Sequence, residues 1–403
     1  MLRSPGVTSR RPAALVVTAL GITQILAWGS SYYLPAVLAQ PIASDTGWPL
    51  TWVVGGLSLG LLVSGLAAPL VGRLIHRHGG RPVLAASAIL LAAGLLGLAL
   101  APDLILFLGS WLVVGLGMSA GLYDAAFSTL GRIYGQTARQ HITSLTLFGG
   151  LASTACWPLS AYFVSELGWR GACLAYAAIH LVLTLPAYLL ALPKQPPALD
   201  APRPASTEDT GPPVRFRSVF VVMAATITLS AVISTVISVH LLTILQARDI
   251  ALAAAVALGA LVGPSQVGAR FIEMLIARYH HPIWTKVVSV VLVALGLAVL
   301  WSHAPVVTLA LVFYGAGIGL ESIARATVPL SIFGARDYAP IMGRLAMPSL
   351  IAQAAAPTVG ALLIQAFGID IALSVVVVAT IVNVGLALAL LTMTASLRLR
   401  PAQ

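Results

Sequence analysis

Long apolar runs, each near the ~20 residues a helix needs to cross the hydrocarbon core of a bilayer, constrain this chain more than any other feature. Twelve can be marked: Ala13 to Leu38, Leu50 to Leu70, Val83 to Leu100, Leu104 to Phe127, Ile142 to Val164, Gly171 to Leu192, Val219 to Leu242, Ile250 to Phe271, Trp284 to Trp301, Val306 to Ala324, Leu345 to Phe367 and Ile371 to Leu391. None alternates with the period of two that a membrane barrel strand requires. Backbone groups inside a bilayer must satisfy their own hydrogen bonds, which leaves helices. The composition agrees: 59% of the 403 residues are hydrophobic, 8% are charged and mean hydropathy is +0.97, against roughly 25% charged in soluble domains. The expected class is an all-α membrane protein with twelve transmembrane helices. The first run has an Arg-rich front and ends in Ala36, Val37, Leu38 and Ala39, like a signal peptide. It is longer than an h-region of about 7 to 15 residues and leads straight into further spans, so it is read as an uncleaved helix.

The runs divide six and six. Between them, residues 193–217 hold seven prolines among charges and small polar residues, a composition that buries no core and reads as a linker. The expected units are a six-helix half over 1–192, a linker over 193–217 and a second six-helix half over 218–403. The formal charge of +10 is carried by Lys and Arg in the segments between runs. Taking alternate loops as one side, Arg170 and Arg248 fall on one face and the other 20 of the 22 basic residues on the opposite face. That asymmetry places the linker and both termini in the cytoplasm of a cell whose plasma (inner) membrane holds the chain. It is a topology signal, so no nucleic-acid partner is expected. Cys156 and Cys173 both sit in apolar runs without metal-ligand spacing, and no disulfide framework or metal site is expected.

The halves echo each other. Gly115 and Gly117 precede Asp124 and an exit at Ile133, Tyr134 and Gly135; Gly315, Gly317 and Gly319 precede Glu321 and an exit at Ile332, Phe333 and Gly334. The offset is 200 residues at the first glycines and 199 at the exits. Small-residue spacing also serves helix packing in general, but with the six-and-six division the match suggests a parallel internal repeat. Such repeats place a binding site near the midplane between halves that rock against each other.

The loop after the second run reads Gly72, Arg73, Leu74, Ile75, His76, Arg77, His78, Gly79, Gly80, Arg81. This resembles the loop signature of the major facilitator superfamily, G-x-x-x-D-R-x-G-R-[RK]. Gly72, Arg77, Gly79 and Arg81 match in register; His76 replaces the Asp and Gly80 the first Arg. With twelve runs and a six-and-six division, the resemblance covers essentially the whole chain. Thr46-Gly47-Trp48 and the stretch Gly55 to Gly60 are similar to the monocarboxylate and oxalate/formate branch. The G-P-x-x-G-G of drug–proton antiporters is absent from the fifth run, which reads Cys156, Trp157, Pro158.

Ionisable side chains at membrane depth cost at least ~2.5 kcal/mol near the centre, so those present need partners or work. Asp124 is expected level with Arg77 and Arg81, latching an inner gate, a role the resemblance also implies. Glu321 is expected to latch the second half through Arg325 or Arg270. The resemblance gives Arg270 a rival role, because the monocarboxylate branch often holds the substrate carboxylate on an arginine of the eighth helix; Gln266 stands one turn before it. The midplane residues are neutral and aromatic: Gln24, Trp28, Tyr32 and Tyr33, then Ser153 and Trp157, Ser230 and Ser234, Tyr314 and Gln353. Each also suits helix packing, and together they describe a small cavity with hydrogen-bond donors and aromatic walls. Pro158, Pro264 and Pro357 fall inside runs and are expected to bend them.

No H-E-x-x-H, G-x-S-x-G or Walker loop is present, so a gradient rather than hydrolysis is expected to drive any transport. The expected function is a secondary transporter of a small organic anion, working by alternating access as a monomer, with protons as a candidate coupling ion and no cofactor. The substrate set is Gln24, Trp28, Tyr32, Trp157, Ser234, Gln266, Arg270, Tyr314 and Gln353. The gating set is Gly72, Arg77, Gly79, Arg81, Asp124, Glu321 and Arg325. The alternatives are an efflux pump for drugs or metalloids and, from another class, a membrane-embedded enzyme or sensor.

Overall fold

Where the chain must reverse after a long helix, it uses glycine at positive φ, and two such turns recur with the spacing of the repeat. Gly135 (φ 58) and Gly334 (φ 75) stand 199 residues apart, and Gly168 (φ 70) and Gly368 (φ 82) stand 200 apart. Side chains with a Cβ are disfavoured in that region. The computed structural model describes residues 12–194 and 214–398. Most of the expected linker, with Arg3, Arg10, Arg11, Arg203 and Arg400, lies outside the described residues.

The first span is α1 (Ala13–Gly29) followed by α2 (Pro35–Thr46), and the second and third are α3 (Leu50–His78) and α4 (Gly80–Leu100). The fourth is α5 (Leu104–Gly121) continued by α6 (Tyr123–Tyr134). The fifth runs from α7 (Ala138–Gly150) into α8 (Ala152–Ile179), which reverses at Gly168; the sixth continues through a π-helical stretch, His180–Thr184, into α9 (Leu185–Ala191). The second half comprises α10 (Val214–Gln246), α11 (Leu252–Gly259) with α12 (Val262–Ile276), α13 (Pro282–Trp301), α14 (Val307–Phe333), α15 (Tyr338–Phe367) and α16 (Ile369–Arg398). α10 begins at Val214, inside the expected linker. Among the described residues, nine continuous helical stretches are long and apolar enough to cross a membrane, and one of these, Leu104–Ala191, folds back on itself to supply spans four to six. With the broken first span, the count is twelve. Large apolar side chains such as Leu66, Ile105 and Val182 stay exposed on the outside, as a lipid-facing belt requires.

The repeated glycines pack as the repeat predicts. A Cβ on Gly115 would strike the carbonyl of Gly60 in span two, and one on Gly117 would strike Leu91 in span three. A Cβ on Gly315 would strike Val262 in span eight, and one on Gly317 Ser289 in span nine. Corresponding glycines thus meet spans six apart.

The end of the bundle near Ala191 and Val214 is the linker end, and the opposite one the far end. The halves close on each other toward the linker end, where α3 crosses α15, α6 meets α15, and α7 meets α12. The α3–α15 crossing is close enough that a Cβ on Gly72 would strike the Ala339 carbonyl, and one on Gly343 the Ala68 carbonyl. Of the expected gate residues, Gly72 therefore lies in the contact between halves. Gly79 (φ 86) makes the turn from α3 to α4.

Candidate functional site: a cavity at three broken helices

Four spans are interrupted at depth: the fifth at Leu151, and three others whose interruptions converge. The first breaks over Ser30 to Leu34 before Pro35 restarts the helix. The fourth breaks at Leu122, whose φ −83 and ψ −169 are extended. The eighth breaks at Ala260 and Leu261, and Pro264 falls in the first turn of α12, where its missing N–H costs nothing. Irregular backbone at membrane depth survives where it is buried in protein or lines a cavity. Residues at or beside all three breaks, including Tyr32, Tyr33, Leu122, Tyr123, Ala260 and Pro264, line a cavity of about 670 Å³ between the halves.

Eight of the nine expected substrate residues line it: Trp28, Tyr32, Trp157, Ser234, Gln266, Arg270, Tyr314 and Gln353. Gln24 does not. It is fully buried and its Nε2 donates to the Gly121 carbonyl at 2.6 Å. The break at Leu122 removes helical donors from that carbonyl, so the Gln24 amide repairs the fourth helix. Tyr314 is also partly structural, its hydroxyl donating to the Ser234 carbonyl at 3.2 Å.

The gate pairings differ from expectation. Asp124 pairs with Arg325 of the opposite half at 2.8 Å rather than with Arg77 or Arg81. Asp124 lies ten residues before the end of α6, about 15 Å along a helix, whereas Arg77 and Arg81 flank the terminal turn at Gly79. Arg77 is exposed there. Glu321 pairs with neither Arg325 nor Arg270: its Oε1 accepts from Lys286 Nζ at 2.6 Å and its Oε2 from Ser289 at 2.9 Å. Lys286, counted among the loop charges by sequence, is only 2% exposed inside α13. Its ammonium also donates to Ser230 at 3.1 Å, which accepts from Asn383 at 2.8 Å, which in turn accepts from Thr226 at 2.5 Å.

Arg139, Glu273 and His280 form a polar contact between the halves that the sequence reading missed. Arg139 donates to the His280 carbonyl at 2.8 Å and approaches Glu273 at 3.4 Å, bridging the halves. Glu273 also accepts from Thr285 at 2.8 Å and contacts His280 Nε2 at 3.3 Å. The signal available was a glutamate two residues beyond the eighth apolar run, too near the bilayer to be left unpaired cheaply.

Arg270 is 5% exposed and held by three neutral acceptors: the Gly319 carbonyl at 3.3 Å, the Thr146 carbonyl of the opposite half at 2.9 Å and Gln266 Oε1 at 3.2 Å. Asp124 and Arg325 cancel in charge, as do Glu321 and Lys286. Among the described residues lining the cavity, Arg270 is the one cation with no carboxylate partner. The bottom of the cavity toward the linker end is thus electrically positive, while the wall formed by Trp28, Tyr32, Tyr33, Tyr123 and Trp157 is aromatic. Trp157 is 47% exposed.

Twelve helices in two related sets around a part-polar cavity, sealed by cross-half contacts at one end, define a polytopic membrane transporter. The chain belongs to the Major Facilitator Superfamily, whose model matches residues 20–329. It is similar to human (Homo sapiens) Monocarboxylate transporter 11, 35% identical over 161 residues that make up 39% of this chain and 32% of the relative. It is also similar to an "Uncharacterized 38 kDa protein in 23S RNA operon" of Thermoproteus tenax, 36% identical over 171 residues, 41% of this chain and 44% of that one. The matched stretches span a third to under a half of these relatives. Among solved structures, the proton:xylose symporter XylE superposes with TM-score 0.73 at 10% identity, over 92% of this chain and 94% of that one. The human organic anion transporter MFSD10 gives TM-score 0.73 at 17% identity, over 94% and 100%. FucP in the outward conformation gives 0.72 at 12%, over 94% and 98%. These likenesses concern the fold.

Proposed function

We propose that the chain is a secondary carrier that moves a small organic anion of the monocarboxylate type across the plasma membrane by alternating access, with the carboxylate held on Arg270. The observation that carries this is the charge inventory of the cavity. A carboxylate that sheds water needs a fixed positive partner, and a guanidinium both stays charged and offers paired donors. Arg270 has five N–H groups, of which three are engaged, so two remain. A lipophilic cation would need an unpaired carboxylate, and the two that line the cavity, Asp124 and Glu321, are both paired. That disfavours the efflux alternative. The partial likeness to Monocarboxylate transporter 11 supports the same reading.

In this reading the halves 1–192 and 218–403 rock about the cavity, joined by the linker 193–217. The linker end and both termini are cytoplasmic, as the distribution of arginines indicates, and the observed arrangement is closed to the cytoplasm. The carrier acts as a monomer, with protons as coupling ion. The test is uptake of labelled carboxylates into proteoliposomes with and without an imposed pH gradient. Arg270→Gln abolishes uptake, and Arg270→Lys, which keeps charge but loses the fork, reduces it strongly. Wild-type rates in both variants would remove the anion reading.

A further inference from the structure

We propose that the cavity is shaped for a carboxylate borne on a flat aromatic ring carrying a hydroxyl or oxo group. This rests on the anion reading above and narrows it. Three observations carry it, and the first is size and wall. A cavity of about 670 Å³ lies in the range of roughly 300 to 1,000 Å³ that encloses drug-sized ligands, well beyond what a two- or three-carbon acid fills. One wall is continuous in aromatic rings: the centroid separations are 5.1 Å for Trp28–Tyr123, 5.2 Å for Trp28–Tyr32, 5.3 Å for Tyr32–Tyr33 and 6.3 Å for Tyr33–Trp157. Rings in such a wall offer faces and edges to another ring at the spacings aromatic pairs prefer.

The second observation is an anchor at the end of that wall. Gly149 and Gly150 are adjacent in α7; a Cβ on the first would strike the Tyr123 hydroxyl, and one on the second Nη1 of Arg270. The two glycines thus let a phenol hydroxyl and the guanidinium approach neighbouring positions of α7, where the aromatic wall meets the positive charge. A carboxylate there accepts from both.

The third observation is unspent hydrogen-bonding capacity. Trp28 Nε1, Tyr123 Oη and Ser119 Oγ are buried, belong to cavity-lining residues and have no partner. An indole nitrogen is a donor only, and a buried donor left unmade is costly. With Tyr123 committed to the carboxylate, Trp28 Nε1 and Ser119 Oγ are left for an acceptor on the ring. An unsubstituted ring leaves them orphaned, so the site discriminates in favour of a hydroxyl or oxo substituent.

Isothermal titration of the purified full-length protein with a matched series tests this: acetate, lactate, cyclohexanecarboxylate, benzoate, 3- and 4-hydroxybenzoate, and uncharged phenol. Benzoate is expected to bind at least about tenfold more tightly than acetate, lactate or cyclohexanecarboxylate. One of the hydroxybenzoates gains about a further tenfold, the worth of one hydrogen bond, and phenol does not bind. Trp28→Phe keeps a ring in the wall and removes the N–H, so the ratio of hydroxybenzoate to benzoate affinity falls toward one. Lactate or acetate binding as tightly as benzoate, lost in Arg270→Gln, overturns the aromatic proposal and leaves the anion carrier standing. A hydroxyl gain that persists in Trp28→Phe and in Ser119→Ala overturns the assignment of the donors. If no carboxylate binds, or binding survives Arg270→Gln, the anion reading falls as well.

Discussion

Arg325 and Asp124, 201 residues apart in sequence, meet at 2.8 Å across the two halves of the bundle. Each comes from the fourth helix of its half, so the contact joins corresponding elements of the repeat. Arg325 lies one turn beyond Glu321, which turns the other way to Lys286 within its own half. Two ion pairs on neighbouring turns of α14 thus have different partners. One leads across the interface and the other into the second half.

Asp124→Asn is expected to loosen the linker-end closure by about 1.5–3 kcal/mol, the worth of a charge-assisted hydrogen bond. A cysteine at Ser322, in a chain with Cys156 and Cys173 replaced by Ser, should react about ten- to a hundredfold faster with an impermeant maleimide applied from the linker side. Exchanging the pair, Asp124→Arg with Arg325→Asp, should restore part of the protection. Unchanged labelling in Asp124→Asn would show that the pair does not hold the closed state.

Lys286→Met should cost about 3–5 kcal/mol, because Glu321 is left as an uncompensated charge in the bundle. The double variant Lys286→Met with Glu321→Gln should recover most of the loss, since well-packed neutral residues replace such pairs at little cost. Thermal unfolding of single and double variants reads this directly. A double variant as unstable as the single one would mean that packing of the lysine stem, not charge, is what matters.

Glu273→Leu removes the acceptor shared by Arg139, Thr285 and His280. The expected loss is about 1–3 kcal/mol for each polar group left unsatisfied, read as a lower melting temperature, together with faster labelling from the linker side. Arg139→Gln should reproduce the labelling change with a smaller drop in stability, since the guanidinium is the only one of the three donors that it removes.

Gly343→Val is expected to prevent closure at the linker end while leaving the separate halves folded, because its side chain meets the Ala68 carbonyl and the Pro69 backbone of α3. Transport should fall below a tenth of wild type with membrane level retained. Double electron–electron resonance between labels on α3 and α15 should then report longer distances at the linker end. Distances identical to wild type would remove the close-approach argument.

Much of this was legible in the residues because it is local. Hydropathy over about 20 residues marks a span wherever it occurs, and Gly115 and Gly315 announce the repeat because close packing of corresponding helices needs the same small residue at the same height. Arg270 and Gln266 could be expected to line a cavity because polar groups at membrane depth are costly against lipid; the aromatic residues Trp28, Tyr32 and Trp157 carried no such constraint. Gln24 was misassigned for a physical reason. Its role depends on the break at Leu122 in another helix, and no pattern around Gln24 encodes that break.

The sequence by itself thus determined the number of crossings, the two-fold repetition and the presence of a charged, aromatic interior, since each follows from short-range composition and periodicity. Only the tertiary structure decided which charge meets which. Asp124 with Arg325, Glu321 with Lys286 and Arg139 with Glu273 depend on depth along one helix and rotation about another. A polar group buried among apolar ones accepts whichever partner the packing brings within about 3 Å, and that partner is set by geometry between segments far apart in the chain.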